Sequence, residues 1–258
     1  MISPLAQVSD KAQIGANVEI GPFTVVQDNV IIGDNSIIHS NVVLYSGARI
    51  GKNCEIFPGA VIAAVPQDLK FEGEDTTVEI GDNTKIRECV TVHRATKDKW
   101  VTRIGSNCLI MAYVHVAHDC QIGNGCILAS YVGLSGHCIV EDYAILEGNV
   151  GTQQFMKIGK HAFVAGATLV RKDIPPYVKA AREPITFAGV NSIGLRRRGF
   201  SDEAIREIED TYRTIFVLNT NVSKGVLAVK EQMPDSQYAK EIIEFIETSD
   251  KGIIRGMI

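Results

Sequence analysis

Large aliphatic residues return at every sixth position along most of the chain. From Ile14 the series runs through Ile20, Val26, Ile32, Ile38, Leu44, Ile50, Ile56 and Ile62, and backward it reaches Val8 and Ile2. It resumes in phase at Ile80, Ile86 and Val92, then from Ile104 to Leu146, and after Thr152 at Ile158, Val164 and Val170. Glycine often follows the aliphatic, and a small or β-branched residue stands four positions after it. A helix needs apolar recurrence near 3.6 and a half-buried strand near 2, so a period of six fits neither alone. It predicts a short extended segment, a turn, and another short segment. Units this small cannot bury their apolar side singly, so they must wind into a coil and stack. A parallel β-helix of hexapeptide repeats is the expectation.

Two stretches break the repeat without losing its phase, at residues 63–79 and 93–103. They read as loops thrown out from a continuous coil, and loops on a rigid scaffold commonly carry function. After Val170 the period changes, and Pro175-Pro176-Tyr177 is expected to end the coil, since proline does not serve an interior ladder. From Ser201, a candidate N-cap followed by Asp202 and Glu203, the pattern becomes helical. Ile205, Ile208, Tyr212 and Ile215 form one apolar stripe. Further helices are expected at about 223–232 and from about 236. The division that follows is a β-helix over residues 1–190 and a small α-helical domain over 191–258.

Composition narrows the class. With 258 residues the chain can bury a large core, and its apolar and charged fractions suit a folded soluble protein. No apolar run is long enough to span a bilayer and no secretory signal opens the chain, so a cytoplasmic protein is expected. Of the six cysteines, five fall at one repeat position and read as small buried side chains; none forms a Cys-x-x-Cys pair. Net charge is −4, yet residues 151–200 carry Lys157, Lys160, Arg171, Lys172, Lys179, Arg182, Arg196, Arg197 and Arg198 against Asp173 and Glu183 alone. A local basic patch on an acidic chain points to a specific anionic partner rather than to nucleic acid.

The repeat explains Val116 and Cys120 in the stretch His115-Val116-Ala117-His118-Asp119-Cys120, but not His115, His118 or Asp119. The period does not give the coil size. Taking three hexads per coil, as in hexapeptide-repeat families, places residues eighteen apart in a stack about 4.8 Å apart. His118 then lies under Gly136 and Asp119 under His137, with Gln153 one coil further on. Histidine is the usual general base near neutral pH, and an adjacent carboxylate orients it. No serine or cysteine nucleophile stands beside it, which favours direct transfer onto a substrate hydroxyl. The Gly136 amide is a candidate oxyanion donor. A zinc site built from stacked histidines is the rival chemistry.

The hexads, the loop Gln67-Asp68-Leu69-Lys70, the stretch His115 to Cys120, the turn Gly136-His137 and the segment from Gly189-Val190-Asn191 to Gly194-Leu195-Arg196-Arg197-Arg198-Gly199-Phe200 occur together in this order. In this the chain resembles the UDP-N-acetylglucosamine O-acyltransferases of lipid A biosynthesis, over essentially its whole length. The resemblance implies a left-handed parallel β-helix, a homotrimer with active sites between subunits, and no metal or organic cofactor. It implies transfer of a 3-hydroxyacyl chain from acyl carrier protein, itself acidic, to the glucosamine 3-hydroxyl of UDP-N-acetylglucosamine. Position by position, it makes His118 the general base, Asp119 its support and Gly136 the oxyanion donor. His115, His137, Asp68, Lys70 and Gln154 match substrate-contacting positions. Asn191 and Arg197 match nucleotide-binding positions, and Gly166 the position that sets acyl-chain length. Where several relatives have histidine before Gln154, this chain has Gln153, which can hydrogen-bond but cannot act as a base near neutral pH. A related transferase with another donor or an amino-sugar acceptor is the alternative.

Overall fold

The computed structural model describes residues 1–219 and 221–256. Short parallel strands, most of two residues, stack into three sheets that form the walls of a triangular coil. The first sheet runs from Gln7–Val8 to Leu169–Val170, the second from Gln13–Ile14 to Lys157–Ile158, and the third from Glu19–Ile20 to Thr186–Val190. Pairing is in register eighteen residues apart, as at Gln7 with Val25 and His115 with Gly133. Three hexads therefore close one coil.

The second residue of each short strand points inward. Ile38, Leu44, Ile56, Val116, Leu128 and Leu134 have no exposed surface. Each such side chain is worth about 2 kcal/mol on burial, and a slip of one residue would turn the whole column outward. Inward cysteines fill the corners: Cys54, Cys108, Cys120, Cys126 and Cys138 are buried, and Cys89 is exposed. The corners need left-handed backbone, supplied most often by asparagine, as at Asn17, Asn35, Asn53, Asn83 and Asn107.

Both interruptions insert whole hexads. Val61 pairs with Thr91, thirty residues on, and Thr91 with His115, twenty-four on. Phase survives because each loop leaves and rejoins the coil at a corner.

The prolines do not end the coil. Ile174 pairs with Ile158 and Ala180 with Val164, so the last coil is sixteen residues long; the two residues are lost between Val170 and Ile174, before Pro175-Pro176. Val178–Ala181 adds a parallel strand to the third sheet, and Thr186–Val190 folds back on it antiparallel. Proline is tolerated because it sits in the corner, not in the ladder.

Among the described residues four helices follow: α1 (Ser192–Arg197), α2 (Asp202–Phe216), α3 (Val222–Gln232) and α4 (Gln237–Glu247). The apolar stripe of α2 is buried as its spacing predicts, and Ser201 caps it by accepting from the Ala204 amide. The short α1, which carries Arg196 and Arg197, has no apolar period to announce it. The helices are sewn to the last coil by Tyr212, whose hydroxyl donates to the Pro176 carbonyl at 2.6 Å, and by Ser249, which donates to Asp173 at 2.6 Å. No helix of the described residues is long and apolar enough to cross a membrane.

Candidate active site

Each coil turns three corners. His118, Asp119, Gly136, His137, Gln153, Gln154 and Phe155 share the corner between the first and second sheets, on successive coils. Two loops cover this corner. The loop of residues 65–76 brings Asp68, and that of residues 94–100 brings Thr96, Asp98 and Lys99. The two breaks in the repeat thus meet at one place.

His118 is buried, and its Nδ1 lies 2.8 Å from Asp119 Oδ2. The carboxylate also accepts from the Thr96 hydroxyl at 2.8 Å, the Thr96 amide at 3.1 and 3.2 Å and the Lys99 amide at 3.1 Å. Burial works against its charge, but the hydrogen bonds from His118 and Thr96 prevail and hold its carboxyl below the ordinary value. An ionised Asp119 assigns the proton of a neutral imidazole to Nδ1, the tautomer that leaves Nε2 as the acceptor. Nε2 stands 4.0 Å from Asp68 Oδ2.

Gly136 lies against the same ring. A Cβ there would stand 2.5 Å from His118 Cε1 and 2.6 Å from Nε2, so only glycine leaves the nitrogen uncovered. The Gly136 carbonyl accepts from Phe155, while its amide has no acceptor among the described residues. His137 takes the left-handed conformation (φ 61°), as does Asp119 (φ 61°). Its ring stacks on Phe155 at 4.5 Å and meets His118 edge-on at 5.0 Å. Its Nδ1 is 3.1 Å from Asp98, out of line for a hydrogen bond, and its Nε2 is 3.7 Å from Asp119.

His115 faces outward on the first sheet, with Nδ1 2.7 Å from the Thr91 hydroxyl. Burial, then the neighbouring His118, lowers its pKa. The outward positions above it are Gly133 and Gly151, so this wall is bare of side chains for two coils. His93 was not singled out by its sequence, yet it packs edge-on against His115 at 4.8 Å. Burial and the charges of His115 and His118 push it down to about 4. The six-residue insertion hides this neighbour from any count by eighteen. Thr96 and Lys99 were missed for the same reason.

Other expected residues lie elsewhere. Asn191 is buried at the corner between the second and third sheets, caps α1 and donates to the His161 carbonyl at 3.0 Å. Arg197 is exposed on α1 and has no carboxylate partner among the described residues. Gly166 is at the third corner, exposed, and a Cβ there would press to 3.1 Å from the Gly148 carbonyl oxygen. Lys70 is exposed, and its amide donates to Asp68 at 3.0 Å. Gln153 and Gln154 are exposed. Much of the basic patch is internally paired: Lys160 with Glu241, Arg171 with Glu183 and Arg196 with Asp202. Lys179, Arg182 and Arg197 keep their charge free among the described residues.

One ligand atom each from His118, Asp119 and His137 falls within 4.8 Å of the others. Donors of a tetrahedral zinc stand about 3.3 Å apart when each is about 2.0 Å from the ion. The 2.8 Å contact between His118 and Asp119 is instead the length of a hydrogen bond.

A three-walled coil with a histidine–carboxylate pair at one corner defines a hexapeptide-repeat transferase. The bacterial transferase hexapeptide model matches residues 11–46, 29–64 and 102–136, and the model described as "Udp N-acetylglucosamine O-acyltransferase; Domain 2" matches residues 173–254. A relative named acyl-[acyl-carrier-protein]–UDP-N-acetylglucosamine O-acyltransferase, from Sulfurihydrogenibium sp. (strain YO3AOP1), is 52% identical over 98% of this chain and 93% of its own. The solved structure of a UDP-N-acetylglucosamine acyltransferase from Bacteroides fragilis 9343 is 49% identical, with a TM-score of 0.97 over 99% of this chain and 100% of that one. That of Francisella novicida is 42% identical, with a TM-score of 0.95 over 99% and 94%. The chain belongs to the acyl-[acyl-carrier-protein]–UDP-N-acetylglucosamine O-acyltransferase family.

Proposed function

We propose that the chain transfers a 3-hydroxyacyl group from acyl carrier protein to the glucosamine 3-hydroxyl of UDP-N-acetylglucosamine, with His118 as general base. The observation that carries this reading is the His118 ring, held by Asp119 at Nδ1 and left bare at Nε2 by Gly136. The sugar hydroxyl gives its proton to Nε2 as its oxygen attacks the thioester carbonyl. The Gly136 amide, free of other acceptors, steadies the oxyanion. Collapse breaks the carbon–sulfur bond, and the thiolate takes the proton back from His118. An ester and free carrier thiol result.

His115, His137, Asp68, Lys70 and Gln154 contact the acceptor and the acyl head in this reading. The glycine-floored wall above His115 suits an extended chain, and Gly166, at its far edge, limits chain length. Asn191 and Arg197 hold the nucleotide, since a guanidinium pairs with two phosphate oxygens at once. These two sit one corner away from His118 in the same chain. A threefold ring that sets the first corner of one chain against the second corner of the next would unite them. That argument supports a homotrimer with shared sites. A cytoplasmic location is part of the same reading.

His118→Ala tests it. Turnover should fall by about two to four powers of ten with sugar-nucleotide binding kept. Turnover at the wild-type rate would refute the base assignment.

A further inference from the structure

The loop of residues 94–100 does more than cover the site. Asp119 receives three hydrogen-bond donors from it: the Thr96 hydroxyl and amide and the Lys99 amide. The Thr96 hydroxyl reaches Oδ2 at 2.8 Å, the same oxygen that His118 Nδ1 meets at 2.8 Å. It also accepts from the Asp98 amide at 3.3 Å, closing the turn that presents the Lys99 amide. The loop is tied in turn by the Trp100 amide on the Thr96 carbonyl at 2.9 Å and by the Thr77 amide on the Trp100 carbonyl at 3.0 Å. Thr96 itself is buried, so water does not substitute for it.

A carboxylate on a coil corner has free rotation about its side-chain bonds unless something grips it. The hexad scaffold grips only the Asp119 main chain, through the Thr102 hydroxyl at 2.9 Å. Among the described residues every hydrogen bond to the carboxylate comes from the inserted loop or from His118, with His137 Nε2 standing off at 3.7 Å. The carboxylate plane decides which tautomer His118 adopts and where Nε2 points.

We infer that Thr96 is a positioning residue for the His118–Asp119 pair: the inserted loop is a strap whose hydroxyl fixes the carboxylate and, through it, the imidazole. The inference rests on His118 being the base. Removing the hydroxyl leaves Asp119 with one donor fewer, and since that bond helps hold its pKa down, the carboxyl protonates at higher pH and lets go of the imidazole sooner as acid is added. The other charged or titratable groups facing His118 are Asp68 from the 65–76 loop, His137 from the next coil, His115 from its own coil and His93 from the preceding one.

The test compares Thr96→Val and Thr96→Ser in the full-length enzyme, with Thr96→Ala repeating the comparison should valine crowd the pocket. Turnover is followed across the acid limb of the pH profile with hydroxyacyl carrier protein and the sugar nucleotide. Thr96→Val should lose about tenfold to a hundredfold in kcat, as removal of an orienting partner does. KM for the sugar nucleotide should change little and the acid limb should move to higher pH. Thr96→Ser should recover most of both. In a His118→Ala background, Thr96→Val should cost nothing more, because its effect passes through the ring. Wild-type kcat with an unmoved limb in Thr96→Val would overturn the inference. So would a loss in Thr96→Ser as large as in Thr96→Val, or an equal fractional loss in the His118→Ala background. Wild-type turnover of His118→Ala itself would bring down the base reading, whatever Thr96 does.

Discussion

The imidazole of His118 occupies the space that a side chain at Gly136 would need. The two residues belong to successive coils, eighteen positions apart, and a single methyl group at 136 would come within 2.6 Å of Nε2. Glycine is required here for access and not for backbone freedom.

Gly136→Ala should therefore fold normally and fail as a catalyst. The methyl would push the ring from its line with Asp119 and block the face a hydroxyl must approach. A misplacement of about 1 Å costs on the order of a hundredfold in rate. Measured kcat should drop by at least that much, while thermal melting stays near that of the wild type. Full activity in this variant would mean that Nε2 is not the reacting nitrogen.

Asp119→Asn should separate charge from shape. Its carboxyl is held below the ordinary value, so the ion contributes stability that is fully present above the unfolded pKa and lost as pH falls through the folded one. Melting temperatures of wild type and variant should draw together as pH is lowered through and below the usual carboxylate range. An asparagine also offers its amide to His118 and favours the wrong tautomer, so turnover should fall steeply at neutral pH.

Acid should act on the scaffold through its buried histidines as well. His161 lies between Tyr143 and Tyr177, stacked on both, and burial with Arg198 and Lys160 nearby pushes it down to about 4. Between its unfolded pKa near 6.5 and this value the unfolded chain binds the extra proton, so stability falls as pH drops through that window. His161→Phe keeps the stack, and the corner backbone accepts phenylalanine at Phe155. The variant should melt with a visibly flatter dependence on pH from neutrality down to about 4.

If the site is shared between chains, His118→Ala and Arg197→Ala should rescue each other. Each variant alone should be poor, the first in turnover and the second in KM for the sugar nucleotide. Unfolded, mixed at equal amounts and refolded together, they should form intact sites at about a quarter of the interfaces of a closed ring. Activity of the mixture equal to the sum of the separate variants would argue for sites within single chains.

Chain-length choice should respond to position 166. Gly166 is exposed at the third corner, where a Cβ finds its nearest neighbour at 3.1 Å. Gly166→Met should shift the product spectrum toward shorter hydroxyacyl chains when a mixture of donors competes. An unchanged distribution by mass spectrometry would remove this residue from the acyl path.

Legibility in the sequence tracked the repeat. Wherever Ile, Val or Leu kept the six-residue phase, inward and outward positions could be assigned, and eighteen-residue stacking brought Gly136 and His137 to His118. Beyond Val170 the same logic failed: two residues drop out before Ile174, and Pro175-Pro176 then turn the next corner without ending the coil. Asp98, Thr96 and Lys99 carried no phase at all, because an inserted loop has no register to count by. His93 was lost for a related reason, since the neighbour it touches stands across an insertion. Helix α2 announced itself by its apolar stripe, whereas α1 had only Leu195 to bury.

Both inserted loops add whole hexads and rejoin the coil at the corner they left. A loop can therefore be exchanged, lengthened or rebuilt by whole repeats while every inward aliphatic beyond it keeps its place. Mutation can thus explore new acceptors or donors at the corner with little risk to folding. A change of one residue inside a wall has no such shelter. The division between a counted wall and uncounted loops lets one architecture host many transferases, and the chemistry evolves at the joints.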